Sequence, residues 1–407
     1  MRASEIKDPD WLVYYLDKAG PLDIHLDSDW PKITANLEGI LGEVVQHRKS
    51  LGHQIQHPNR LRRYLKIIIL DLLVATVEGE SPFRYVSFDK TKYRKGERLE
   101  KIHLGSYLTA KAVFDALEAL GYITIYPGWY AKDKEKKSRR TRIAATDKLI
   151  ETVPFNVGEI TYDWQGCELV QLRHDGIGID YAETSYSRSV RADIKRYNAL
   201  AENTDIRIDG VPVINKYQHA VFHGKNMHSA VIGRMYGGVP QNLKKERRKD
   251  MTVEGERLVN LDFKSHHIRI AYHLAGMPVA EDPYIIPEVE LGIFTRDEVK
   301  TAVNTMLNCE TRAKAVRAVG MKPLVEAVEA AHPMLCEYNV LGKRLQKEDA
   351  DLMRGILAQL VSEGVYAINL HDGLLCRESD WEFVRDVMTQ EYRNRFKEYP
   401  VIEYSYC

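Results

Sequence analysis

The chain has 407 residues, 44% hydrophobic and 29% charged, an ordinary globular mixture with the length of about two to three typical domains. Its 58 basic residues balance 58 acidic ones, so a polyanionic partner must be argued from local charge and not from the whole protein. No apolar run is long enough for a bilayer, no signal-like apolar core opens the chain, and five scattered cysteines lack C-x-x-C spacing, which excludes the membrane, secreted and fibrous classes.

The cysteine usage fits a reducing, cytoplasmic compartment. Residues 1–58 are polar and end in the His/Gln-rich stretch Gly52 to His57; a small helical lead-in is predicted, with no legible role. Leu61 to Val77 predicts a helix apolar around most of its circumference and therefore buried. Pro82 to Phe88 predicts a short strand. Thr109 is predicted to cap a helix running to Leu120, with Gly121 ending it. Tyr122 to Tyr130 and Thr141 to Ala145 then predict the two strands of a hairpin.

Helix, strand, helix and hairpin follow one another in the order of a winged helix-turn-helix. The hairpin tip carries Lys132, Lys134, Lys136, Lys137, Arg139, Arg140 and Arg142 against only Asp133 and Glu135. Such a tip would release counterions on meeting phosphate, and helix plus wing is a known docking geometry on DNA. Lys136, Lys137, Arg139 and Arg140 are the candidate contacts. A solvated tip and a protein-interaction module remain the alternatives. The expected division is a lead-in at 1–58, a winged-helix-like domain at 59–150, a linker and thumb-like helical region at 151–220, and a catalytic domain at 221–407.

Four segments of the C-terminal half carry the chemistry. Leu258, Val259 and Leu261 predict a buried strand ending at Asp262, followed by a helix from His267 to Ala275. A carboxylate at the end of a buried strand is costly unless a cation lies beside it. Val365 to Cys376 predicts a tight hairpin with Asp372 at its turn. Two carboxylates on neighbouring strands can hold two Mg²⁺ ions, which stabilise the attacking and leaving oxygens of a phosphoryl displacement. Thr295 and Glu298 have capping-box spacing before a helix with Arg296, Lys300 and Asn304 along one polar edge, where cations could meet a nucleoside triphosphate. Arg234 to Arg248 predicts a polar loop with Gln241 and Asn242 and four following cations.

In order, these segments resemble the palm and fingers of family A DNA polymerases and of single-subunit phage-type RNA polymerases. Arg234 through Leu243 resembles the R…PNLQN loop, and Asp262 to Arg269 (DFKSHHIR) is similar to motif A, DYSQIELR. Gln346 to Leu352 (QKEDADL) resembles the QGSAADL segment, and His371-Asp372 matches the HD of motif C. The resemblance covers roughly 220–407 and implies an α+β palm with reduced helical fingers. It implies Asp262 and Asp372 as ligands of two Mg²⁺ ions, replaceable by Mn²⁺. It implies Arg296 and Lys300 on the triphosphate, with Lys300 also the proton donor to pyrophosphate. Arg234, Gln241, Asn242, Gln346 and His371 would face template and primer, and His267, Asn304 and Asn308 the incoming nucleotide.

Departures from the pattern are Gly373 after His371-Asp372, which leaves a third carboxylate missing, His267 at the sugar-sensing glutamate position, and Asn308 near an aromatic position. Weak preference for dNTPs is the expectation. The reading is a compact DNA polymerase, suited to a phage or mobile element, with DNA template, primer and nucleoside triphosphates as partners. The alternatives are a primase or RNA polymerase that starts without a primer, and a non-catalytic replication initiator with a palm-like scaffold.

Overall fold

The computed structural model describes the whole chain except residues 79–80, 94–95, 97, 102, 130–137 and 339, with 231–232 described by backbone alone. The protein is mixed α+β and divides into two compact units, Met1–Glu168 and Leu169–Cys407.

The first unit runs α1 (Pro9–Asp17), β1 (Gly20–Pro21), β2 (Leu26–Asp27), α2 (Pro31–Ser50), α3 (Pro58–Val77), β3 (Phe83–Val86), α4 (Tyr107–Ala119), β4 (Ile123–Tyr126), β5 (Thr141–Ala145), α5 (Asp147–Thr152) and β6 (Thr161–Tyr162). Its main sheet has the order β1-β3-β5-β4, with β3 antiparallel to β5 and β4 closing a hairpin onto β5. Helix α3 is buried along most of its length. Asp71 interrupts its apolar run because the carboxylate holds Arg84 Nε at 2.9 Å and accepts from the Asp23 N–H at 3.0 Å. Even so, burial pushes Asp71 up to about 6.

Three expectations shift here. The cap of α4 is Ser106, whose hydroxyl accepts from the Thr109 N–H, so the helix starts two residues before Thr109. Residues 1–58 are not a separate lead-in, because β1 pairs with β3 in the main sheet. The segment after 150 belongs to this unit as well, because β6 pairs with β2. Lys136 and Lys137 lie outside the described residues. Of the hairpin's other described cations, Arg139 is half-buried and pairs backbone-to-backbone with Trp129, and Arg140 lies exposed over the Tyr85 ring. Arg142 is no tip cation but is buried, donating to the Leu16 and Arg140 carbonyls.

The second unit runs β7 (Val170–His174), β8 (Ile177–Ile179), α6 (Ser185–Glu202), β9 (Ile206–Ile208), β10 (Val211–Pro212), β11 (His219–His223), β12 (Val231–Tyr236), α7 (Val239–Asn242), β13 (Met251–Val253), β14 (Leu258–Phe263), α8 (His266–Leu274), α9 (Pro287–Glu290), α10 (Arg296–Leu307), α11 (Arg312–Val319), α12 (Lys322–Ala331), α13 (Leu341–Ser362), β15 (Ala367–Asn369), β16 (Gly373–Arg377), α14 (Trp381–Phe396) and β17 (Ile402–Tyr406). The expected thumb-like stretch at 151–220 thus contributes one long helix, α6, among short strands.

The sheet that matters for chemistry is antiparallel, in the order β15-β16-β14-β17. Alternation along β14 sends Val259, Leu261 and Phe263 into the core, where α14 packs against β14 and β16. Asn260 and Asp262 point to the opposite face. Helix α13 packs on β12, α6, α8 and α14 and ties the second sheet, β12-β11-β7-β8, to this one. At Gly342 a Cβ would stand 1.8 Å from the Leu307 carbonyl oxygen, so only glycine lets α13 start against the end of α10.

Candidate active site

Asp262 lies one residue from the end of β14, directly opposite Gly373 on β16 and Glu403 on β17. Residues opposite one another in an antiparallel ladder share a face, so the Asp262 and Glu403 side chains emerge on one side of the sheet. Asp372 precedes β16, and its carbonyl accepts from the Phe263 N–H at 3.2 Å, which sets the two aspartates on adjoining strand ends. Burial first, then the charges of Asp372 and Glu403, push Asp262 up to about 6, while Lys300 and Lys245 oppose the shift. The site is therefore a cluster of carboxylates faced by lysines from two separate stretches of chain.

The turn before β16 is tightly specified. Leu370 N–H donates to the Gly373 carbonyl at 2.8 Å, and His371 takes a left-handed conformation at φ +72° with its N–H on the buried Asn369 side chain at 3.1 Å. A Cβ on residue 373 would sit 2.7 Å from the Leu261 carbonyl oxygen and 2.9 Å from Asp262 Oδ1. That close approach accounts for glycine where the resembling family carries an acid. Position 373 carries no third carboxylate; Glu403 on the neighbouring strand shares the face of Asp262 but is largely exposed and paired with Lys264 Nζ at 3.0 Å.

Helix α10 begins as its capping box predicts, the Thr295 and Glu298 side chains each accepting the other's backbone N–H. Arg296, Lys300, Asn304 and Asn308 recur every fourth residue along its outward edge. Arg296 Nε donates to Asp282 Oδ2 at 2.6 Å and its guanidinium lies over the Tyr284 ring. Lys300 is the member of this edge that acts on Asp262 electrostatically. Asn308 donates to the Asn304 carbonyl at 2.8 Å and accepts from Gln346 Nε2 at 3.1 Å, so both side chains fasten α10 to α13.

The segment from Arg234 differs most from its expected form. Arg234 belongs to strand β12, not to a loop, and its Nε and Nη2 both donate to Asp349 Oδ2, at 3.0 and 2.6 Å. Gln241 is buried, accepting from the Gly237 N–H at 2.9 Å and donating to the Met235 carbonyl at 3.0 Å. Asn242 donates to the Gly238 carbonyl at 2.8 Å. In this conformation both amides brace the loop, so the part expected of them towards template is filled by internal hydrogen bonds. His267 Nε2 stands 3.2 Å from Arg234 Nη2. The His371 ring meets Tyr236 edge-on at 5.3 Å, and its pKa is lowered by burial and by Arg234.

Four residues of this region escape sequence reasoning. Asp349 has 1% exposure and lies on the apolar stripe of α13 with Leu345, Leu352 and Ile356; a carboxylate at such a position signals a basic partner in the core. Lys245 is one of several cations after the loop and carries no signal of its own. Asp282 and Glu403 have no local signal either. Among the described residues no group of three or more His, Cys, Asp or Glu side chains is arranged to hold a metal by itself, and no helix is long and apolar enough to cross a membrane.

No family model and no curated protein matches the chain. Among solved structures it is similar to the POL domain of Pol1 from M. smegmatis in complex with DNA primer-template and dNTP, at 12% identity over 94% of this chain and 67% of that one, with a TM-score of 0.35. A likeness of that size assigns neither activity nor partner.

Proposed function

We propose that the C-terminal unit is a compact palm with reduced fingers that carries out template-directed nucleotidyl transfer, most simply as a DNA polymerase. The observation that carries this reading is the meeting of Asp262 and Asp372 on adjoining strand ends, with Lys300 facing them from a helix edge that also bears Arg296. An acidic pair in which the charge of Asp372 raises the proton affinity of Asp262 is suited to a divalent cation, and Mg²⁺ is commonly held by one or two carboxylates plus substrate phosphates. Asp262 and Asp372 would hold it, and when bound it would neutralise charge on the transferring phosphoryl group.

The chain's own residues supply the rest. Lys300 and Arg296 bind the triphosphate, and Lys300 gives a proton to the leaving pyrophosphate, a role supported by its charge acting on Asp262. For Arg296 this requires exchanging Asp282 for a phosphate oxygen, an exchange between two anions of like hydrogen-bonding chemistry. His371, whose buried Nδ1 has no hydrogen-bond partner among the described residues, lies beside Asp372 where a primer end would arrive. In the N-terminal unit, β3, α4 and the β4–β5 hairpin support a winged-helix reading. The outer face of α4 offers Leu108, Glu118 and a Lys111–Asp115 pair, so nucleic acid would be gripped by the hairpin cations and not read by the helix.

Primer extension on a defined template, with dNTPs and NTPs supplied separately and with primer present or omitted, tests this function. Extension that disappears in Asp262→Ala and Asp372→Ala is the expected result. Near-wild-type extension by either variant overturns the polymerase reading, and synthesis without primer replaces it with a primase.

A further inference from the structure

Asp349 binds two basic side chains from two different elements, with a third beside them. Its Oδ2 accepts two hydrogen bonds from Arg234 of β12, and its Oδ1 lies 3.1 Å from His266 Nε2 of α8. His267 Nε2 is 3.7 Å from Oδ2 but only 3.2 Å from Arg234 Nη2. The hydrogen bond from His266 and the nearby charge of Arg234 hold the Asp349 carboxyl far below its ordinary range in spite of burial.

The geometry fixes protons. A guanidinium has donors only, so a His267 Nε2 that hydrogen-bonds it must accept, which leaves the ring hydrogen on Nδ1. A carboxylate accepts only, so His266 carries its hydrogen on Nε2, and its buried Nδ1 has no partner among the described residues. Two adjacent histidines are thus held in opposite tautomers by one carboxylate and one arginine. Asp349 itself is sealed from solvent, whereas the side chains of Arg234 and His267 are 21% and 26% exposed. With Nε and Nη2 committed to Asp349, Nη1 is the edge of Arg234 left to meet a ligand.

We propose that Asp349 is a positioning residue of the nucleotidyl-transfer site: it touches no substrate, but it aims Arg234 and, through it, sets His267 as an Nδ1–H donor. Both are then presented as hydrogen-bond donors to acceptor atoms of the incoming nucleotide or primer end. The inference rests on the function proposed above for the acceptor's identity, and on the geometry alone for the protons.

The two parts are tested separately. Long-range ¹⁵N–¹H correlation spectra of the imidazoles in the free protein at neutral pH should place the His267 hydrogen on Nδ1. Asp349→Asn, which keeps the shape, and Arg234→Lys, which keeps the charge but loses the fork, should both move His267 towards the Nε2–H form. In single-nucleotide incorporation, Asp349→Asn should raise KM roughly tenfold, the scale of one charge-assisted hydrogen bond, with a much smaller change in kcat. In an Arg234→Ala background the same substitution should add little. An Nε2–H His267 in the wild type, an unchanged spectrum in both variants, or a full additional loss in the Arg234→Ala background overturns the proposal. A wild type that incorporates no nucleotide overturns the function instead, and the imidazole spectra still judge Asp349.

Discussion

Replacing Asp262 by asparagine should stabilise the C-terminal unit while abolishing transfer. Burial and the neighbouring Asp372 and Glu403 lift the Asp262 pKa from 3.8 to about 6. Because the folded-state value lies above the unfolded one, folding takes up a proton between about pH 4 and pH 6. The stability linked to this residue is fully present below about pH 4 and is lost as pH rises through 6. A rise of about 2 in pKa sets a ceiling of about 3 kcal/mol. Asp262 is only half-buried, so solvent screening reduces the figure to about 1–2 kcal/mol. Asparagine keeps the shape and removes the charge, so in chelator at pH 7.5 the variant should be more stable by that amount, and the gap should close near pH 4. Urea denaturation read by pulse-labelled hydrogen exchange on peptides covering β14 and β16 isolates this unit from the other. Added Mg²⁺ should stabilise the wild type and not the variant. A variant no more stable than wild type at pH 7.5, or a gap that persists at pH 4, would refute the electrostatic account of the site.

Gln241→Ala removes two internal hydrogen bonds from a buried loop and should cost about 1–3 kcal/mol in the same urea experiment; a neutral effect would return Gln241 to a template-facing role. Charge removal at Lys136, Lys137, Arg139 and Arg140 together should flatten the dependence of log affinity for duplex DNA on log salt by about 0.9 for each phosphate no longer neutralised, and an unchanged slope would leave the hairpin as solvated surface. Selection between dNTP and NTP in single-nucleotide incorporation should be modest, roughly 10–200-fold in favour of dNTP. It should shrink in His267→Ala; a wild-type preference for NTPs would favour the primase.

Local chemistry was enough for the pieces of this protein. The Thr295–Glu298 box marked the start of α10, the apolar run into Asp262 marked β14, and the hairpin around Asp372 was legible because caps, turns and alternation act over a few residues. The fourfold spacing of Arg296, Lys300, Asn304 and Asn308 puts them on one helix edge by helical period alone. What lay beyond those distances was decided by tertiary packing. Strand register set Glu403 opposite Asp262, although nothing near residue 403 announces a site. Burial of α13 against β12 and α8 turned Asp349 from one acid in a charged segment into the anchor of Arg234 and His266. The same packing drew Gln241 inside, where an unpaired amide would be costly and the loop's own backbone is the nearest partner. Pairing of β1 with β3 and of β2 with β6 moved the boundary of the first unit past 150, since strand partners distant in sequence leave no periodic trace in either segment.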